Sequence, residues 1–143
     1  YQYPEKLIPL AIRRALRGEP IPVYGAGTNV RDWLHVEDHV DALLRVLERG
    51  APGETYCLGG GAERTNLEVV HAVCAALDAL APDPTIPDRT ALVTFVADRP
   101  GHDHRYAIDA SHVGRTLGWA PARDFATGIR ETVKAGDPIV TVQ

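Results

Sequence analysis

Val30-Arg31-Asp32-Trp33-Leu34-His35-Val36-Glu37-Asp38 is the stretch in which the chain changes its period. From Val30 to Val36 it reads as extended backbone, built from branched and aromatic side chains. Glu37 and Asp38 then open a helix whose apolar positions are Val40, Ala42, Leu43, Val46 and Leu47. Acids at its start and Arg45 and Arg49 near its end suit the helix dipole, and Gly50 is the expected terminator. A strand feeding a helix points to an α/β chain, and the flanking sequence has to say of what kind.

On the N-terminal side, Leu7, Ile8, Ala11, Ile12, Ala15 and Leu16 recur at helical spacing, so residues 5–16 are expected to be helical and Gly18 to stop them. Pro9 falls in the first turn, where its missing N–H is tolerated. Ile21-Pro22-Val23-Tyr24 reads as a short strand, and Pro22 makes it an edge strand or a strand end. Gly25-Ala26-Gly27 turns the chain back into the central stretch.

On the C-terminal side, residues 54–58 read as a strand running into Gly59-Gly60-Gly61. Thr65-Asn66-Leu67-Glu68 is a capping box, and residues 69–80 form the amphipathic helix that it starts. A loop with Pro82, Pro84 and Pro87 leads to a strand over residues 91–96, followed by the polar turn Asp98-Arg99-Pro100-Gly101-His102-Asp103. Asp109 is expected to cap a helix over 110–117 that Gly118 ends, and Asp124 to cap a last helix running to Lys134. Strands and helices mix without a regular βαβ series, so the expectation is a mixed α/β subdomain rather than a complete doubly wound sheet.

A length of 143 residues holds one domain or a piece of a larger one, and a 45% apolar content is enough for a core. The net charge of -4 argues against a general nucleic-acid binder. No apolar run approaches a membrane span, no signal-peptide pattern opens the chain, and a cytoplasmic location is expected. Cys57 and Cys74 lack metal-ligand spacing; both sit among apolar neighbours and are expected to be buried free thiols. Thirteen of the fifteen basic residues are Arg, a bias that a GC-rich genome explains as readily as phosphate binding does.

Few residues are placed for chemistry. The His clusters, His102-Asp103-His104 and His35 with Asp38-His39, lack a third metal ligand at recognisable spacing. Ser111 is the only serine and stands in no Gly-x-Ser-x-Gly elbow. Gly25-Ala26-Gly27 begins like a dinucleotide fingerprint, but Val30 stands at the third glycine and a strand follows instead of a helix. Gly59-Gly60-Gly61 reads as a loop, with a phosphate cradle left open by the helix after it. Arg31 and Arg99 stand out, although each has an ordinary alternative: Arg31 paired with Asp32 or Asp38, Arg99 with Asp98 or Asp103.

Lys6-Leu7-Ile8-Pro9, Pro22-Val23-Tyr24-Gly25, Arg31 to Asp38, and the Asp98 to Asp103 turn occur in this order. With Arg105-Tyr106-Ala107-Ile108-Asp109 and Leu117-Gly118-Trp119, they resemble the C-terminal half of bacterial dTDP-glucose 4,6-dehydratases, members of the extended short-chain dehydrogenase/reductase superfamily. The resemblance runs from Tyr1 to about Val133. It implies a sugar-nucleotide-binding subdomain over residues 1–134, with 135–143 an atypical, poorly ordered tail. By the same resemblance Arg31 and Arg99 clamp a diphosphate, Asn66 and His102 add hydrogen bonds, and Lys6, Leu7, Pro22, Val23 and Tyr24 line the nucleoside pocket.

The reaction the resemblance implies is an internal redox dehydration. NAD takes a hydride from C4 of dTDP-glucose, water leaves across C5–C6, and the hydride returns to C6. The family's Gly-x-x-Gly-x-x-Gly loop, Tyr-x-x-x-Lys pair and acidic pair are not found here, Tyr3-Pro4-Glu5-Lys6 being one residue too short. The expectation is therefore no catalytic, cofactor-binding or metal residue in this chain, an NAD-binding Rossmann half supplied elsewhere and needed for activity, and full-length homodimers. Two other readings stay open: a fragment of a UDP-sugar epimerase or decarboxylase, and a stand-alone non-catalytic sugar-nucleotide-binding module. The ending, Lys134-Ala135-Gly136-Asp137-Pro138-Ile139-Val140, departs from the family by carrying no tyrosine beyond Tyr106.

Overall fold

A computed structural model describes residues 3–134, so the tail at 135–143 lies outside the described residues. The chain is gathered into two compact units. Of the described residues, the first comprises 3–29, 65–104 and 129–134; the second comprises Val30–Arg64 and Arg105–Gly128.

In the first unit, helix α1 (Leu7–Leu16) leads into strand β1 (Ile21–Tyr24). Lys6, in extended backbone, precedes the helix, and Pro9 falls at its third residue, where no i−4 partner is lost. Ile21 and Val23 are buried while Tyr24 is exposed, the two-residue alternation of a strand with one covered face. Helix α3 (Asn66–Leu80) begins one turn earlier than its apolar run. Thr65 and Glu68 cap it reciprocally, as the sequence predicts. A 3-10 turn, Arg89–Leu92, then delivers strand β4 (Val93–Val96), which pairs with β1 in parallel, Ile21 opposite Val93 and Tyr24 opposite Val96. Pro22 is tolerated because β1 has a ladder partner on one side only among the described residues.

The core of this unit is Ile12, Ile21, Val23, Val69, Val70, Val73, Cys74 and Leu77, each at most 2% exposed. Arg89 is buried beside it. Its guanidinium donates to Asp78 Oδ1 (2.6 Å) and to the carbonyls of Ala15 (3.3 Å) and Ala81 (2.8 Å). One arginine thereby satisfies carbonyls at the ends of α1 and α3, which sequence reading did not foresee.

The second unit holds strand β2 (Val30–Asp32), helix α2 (Val36–Arg49), strand β3 (Glu63–Thr65), which pairs with β2, and helix α4 (Ser111–Leu117). Its core is Ala42, Val113, Leu117 and Trp119, flanked by Leu34, Val46, Tyr56 and Leu58. Helix α5 (Phe125–Lys134) closes the described chain, capped by Asp124, whose Oδ1 accepts from the Thr127 N–H at 2.7 Å. Gly118 ends α4 with φ +64°, a left-handed cap that disfavours a side chain.

The expected strand at 54–58 and the expected burial of Cys57 are overturned, whereas the acids at the start of α2 and Gly50 at its end stand as read. Helix α2 carries Glu37 and Asp38 in its first turn, as expected; its cap is His35, whose Nδ1 accepts from the N–H of the exposed Glu37 at 3.3 Å. Asp38 instead turns inward, buried, where Arg123 donates to it from both its side chain (2.7 Å) and its backbone N–H (3.0 Å). Gly50 ends α2 in extended backbone, and is required because a Cβ there would lie 2.5 Å from the Val46 carbonyl. Residues 54–58 form no strand: the side chains alternate, but no ladder partner meets them, and the pairing falls on residues 63–65. Cys57 is exposed on that unpaired stretch, whereas Cys74 is buried as expected and its thiol is pushed up to about 11 by desolvation.

Helix α2 carries a second apolar stripe. Ala42 and Val46 face the core of the unit, but Val36, Val40, Leu43, Leu44 and Leu47 remain 48–82% exposed. Those five recur at i, i+4, i+7, i+8 and i+11, a continuous strip along one side of the helix.

Candidate functional site

Strands β1 and β4 run in parallel and end together, so the chain segments leaving them share one edge. The Gly25 N–H donates to the Val96 carbonyl at 2.9 Å, which joins the turn after β1 to the loop after β4. Loops at the carboxyl ends of parallel strands are the usual place for ligand-binding side chains. Here those loops bring together Tyr24, Asp98, Arg99 and His102.

Asp98 organises the loop. Its Oδ1 accepts from the Arg99 backbone N–H at 2.8 Å and meets His102 Nδ1 at 2.7 Å. The hydrogen bond with His102, followed by the one from the Arg99 amide, holds the Asp98 carboxyl below its ordinary range. Gly25 makes room for this carboxylate: its φ is +55°, and a Cβ there would lie 3.0 Å from Asp98 Oδ2. The His102 side chain is only 7% exposed. Its Nε2 lies 3.1 Å from Arg99 Nη2, and its ring meets Tyr24 edge to face at 6.4 Å. The Arg99 guanidinium lies 4.8 Å from the centre of the Tyr24 ring. It is turned to an imidazole and an aromatic face, whereas the ordinary reading from sequence paired it with a carboxylate.

Asn29, which sequence reading missed, fastens the far end of the loop. It is buried, and its Nδ2 donates to the Asp103 carbonyl at 3.3 Å. A buried asparagine in a Gly-Thr-Asn turn needs such a partner, and that requirement was the only signal in the sequence. The Asn29 and Gly27 carbonyls in turn accept from the Asn66 and Leu67 N–H groups, each at 3.0 Å. With Thr65 on the Glu68 N–H, the first three amides of α3 are occupied, so Asn66 has only its side chain to offer a ligand.

Lys6 is exposed and Leu7 half-buried at the start of α1. Pro22 is half-buried, and Val23 is a core side chain, 1% exposed, that only its backbone could bring to a ligand. Arg31 belongs to the second unit. It donates from Nη1 to the Val30 carbonyl at 2.6 Å and its guanidinium lies 4.4 Å over the Tyr106 ring. Asp38, offered from sequence as a partner for Arg31, has both carboxylate oxygens engaged by Arg123.

Neither glycine cluster fits a dinucleotide. Gly27 is packed, since a Cβ would meet Val23 Cγ1 at 2.7 Å, and a strand follows it. The Gly59-Gly60-Gly61 loop wraps a carboxylate already present: Asp32 accepts from the Gly60 N–H (2.9 Å) and the Ala62 N–H (2.8 Å). A Cβ on Gly60 would fall 1.9 Å from the Trp33 carbonyl, so close packing explains this glycine. Close packing and the bound Asp32 carboxylate account for both glycine clusters. Among the described residues no cluster of His, Cys, Asp or Glu is placed to hold a metal ion, and no helix is long and apolar enough to cross a membrane.

The fold matches a part of the extended short-chain dehydrogenases, and residues 1–132 match the family model described as GDP-mannose 4,6 dehydratase; the chain belongs to that family. Within it, the similarity is to dTDP-glucose 4,6-dehydratases. That of Neisseria gonorrhoeae is 55% identical over 135 residues, which cover 93% of this chain and 39% of the relative. The crystal structure of dTDP-glucose 4,6-dehydratase from Bacillus anthracis in complex with NAD matches with a TM-score of 0.85 at 43% identity, over 96% of this chain and 41% of that one. The Streptomyces venezuelae enzyme, with NAD and TYD bound, matches with a TM-score of 0.80 at 44% identity, over 94% of this chain and 39% of that one. The chain thus spans about two fifths of the length of these relatives.

Proposed function

We propose that this chain is the substrate-holding part of an NAD-dependent dTDP-glucose 4,6-dehydratase, a carbon–oxygen lyase that converts dTDP-glucose to dTDP-4-keto-6-deoxyglucose and water. The observation that carries the reading is the Arg99 guanidinium, fixed between His102 and Tyr24 at the carboxyl end of a parallel strand pair, in a chain 55% identical to such an enzyme. A planar guanidinium held in this way suits bidentate recognition of a diphosphate. Arg31, over Tyr106, is the second phosphate-recognising arginine in this reading, Asn66 adds a hydrogen bond to the phosphate or ribose region, and Lys6, Leu7, Pro22, Val23 and Tyr24 line the nucleoside pocket. No residue of the chain is assigned to the redox step.

NAD belongs, in this proposal, to the part of the relatives' length that the chain does not span. The exposed strip on α2 supports a packing partner of that kind. It amounts to on the order of 500 Å² of apolar side chain, near the upper end of what monomers leave uncovered. It falls short of the roughly 800 Å² per partner of a stable complex, yet suits one side of an interface between domains of one protein. A cofactor-binding α/β half packed on α2 accounts for the strip, and the full-length protein is proposed to be a cytoplasmic homodimer.

Calorimetric titration with dTDP, UDP and GDP tests the substrate class. The reading expects dTDP to bind most tightly. Equal or tighter binding of UDP would replace it with a UDP-sugar epimerase or decarboxylase, and preference for GDP would move it toward the reaction after which the family model is named.

A further inference from the structure

Arg99 has donors only, so its contact with His102 fixes which imidazole nitrogen carries the proton. A guanidinium cannot accept a hydrogen bond, and the Nε2 that faces Arg99 Nη2 at 3.1 Å must therefore be bare. The proton of the neutral ring then sits on Nδ1, where it donates to Asp98 Oδ1 at 2.7 Å. Asp98 has a second hold on the same loop, because the same oxygen accepts from the backbone N–H of Arg99 at 2.8 Å. Among the described residues, the groups that meet the imidazole include one carboxylate, one guanidinium and the Tyr24 ring.

We propose that Asp98 and His102 are positioning residues for anion recognition: Asp98 selects the Nδ1–H tautomer of His102, whose bare Nε2 locks the Arg99 guanidinium against Tyr24. The proposal rests on the reading of Arg99 as a phosphate-binding residue and adds how that arginine is made ready. An unrestrained arginine loses rotamer freedom when it closes on a ligand. Here one of its five N–H donors is spent on His102 and one face on Tyr24, while the remaining donors keep a fixed direction. The burial of His102 makes the arrangement durable, since at 7% side-chain exposure water competes poorly for Nε2. His102 in this account need not touch the ligand.

Two measurements on the full chain test this. Long-range proton–nitrogen NMR of the ligand-free protein reads the tautomer of each histidine, and His102→Gln identifies the His102 signals. We expect a protonated Nδ1 and a bare Nε2, and an Asp98→Ala variant that loses this preference. The second measurement is dTDP affinity. Glutamine carries both a donor and an acceptor, so His102→Gln should stay within about twofold of the parent. His102→Ala and Asp98→Ala should weaken binding by roughly three- to tenfold, the effect of freeing one rotamer-rich side chain. A bare Nδ1 in the parent protein, or a His102→Gln variant as weak as His102→Ala, would overturn the proposal. If Arg99→Ala leaves dTDP binding unchanged, the phosphate role of Arg99 fails instead, and the tautomer measurement still decides whether Asp98 and His102 hold the side chain.

Discussion

Helices α3 and α2 both carry apolar residues at helical spacing, α3 over most of its surface and α2 along a sharper strip, yet they finish in different surroundings. In α3, Val69, Val70, Val73, Cys74, Ala76 and Leu77 are all buried, and the face that the sequence marks as apolar is the face that packs. In α2 the apolar set divides: Ala42 goes inward with Val46 beside it, whereas Val40, Leu43 and Leu47 point out with Val36 and Leu44. A helix that is apolar on two sides belongs between two layers. In the proposed reading the second apolar side of α2 packs on the cofactor-binding half, so the pattern of α2 would record a surface that the core of its own unit does not use.

Substitutions on the two helices can break that contrast. The largest effect is expected from Leu77→Ala in α3, a loss of about 3 kcal/mol in urea unfolding, typical of a buried large-to-small change. Asp38→Ala follows at about 2 kcal/mol, because it strands the Arg123 guanidinium against a buried site, part of that cost being relieved by the partial exposure of Arg123. Thr65→Ala removes the cap of α3 and should cost about 1 kcal/mol. Leu47→Gln, on the 82% exposed end of the strip, should change stability by less than about 0.5 kcal/mol. A loss at Leu47 as large as that at Leu77 would mean that the strip is covered within this chain, and the difference between the helices would vanish.

Acid titration sharpens the picture from the side of the loops. Asp83, Asp88, Asp98, Asp109 and Asp124 all have carboxyls held below their ordinary range by hydrogen bonds from nearby Thr, Ser or His side chains and backbone amides. Such groups contribute stability above their unfolded values, and it is lost as the pH falls through the lowered folded values. Unfolding followed from pH 7 downward should therefore show little change until below about pH 4, then a steady decline. A decline that begins near pH 6 would point to histidine rather than to these caps.

What could be read from sequence was what is encoded locally. The capping box at Thr65, the Gly118 stop, the Asp124 cap and the edge position of Pro22 each depend on residues within a turn or two, and each was legible. Long-range partners were not. Arg89 closes the ends of two helices, Arg123 reaches Asp38 across 85 positions, and β3 finds β2 where the alternation at 54–58 had promised a strand. The candidate site divides in the same way. The Asp98–Arg99–His102 network lies within five residues and was visible as a motif, although its internal geometry was not. Tyr24 as the platform of Arg99 and Tyr106 as that of Arg31 come from distant segments, and nothing about either arginine alone predicts them.

The central claim, that this chain holds the diphosphate of a sugar nucleotide through Arg99, is tested most directly by calorimetric titration of dTDP into the parent protein and into Arg99→Ala. The account predicts saturable binding by the parent and a loss of roughly 2–5 kcal/mol in the variant, the range for removing one desolvated charge partner. Equal affinity in the two proteins would contradict it.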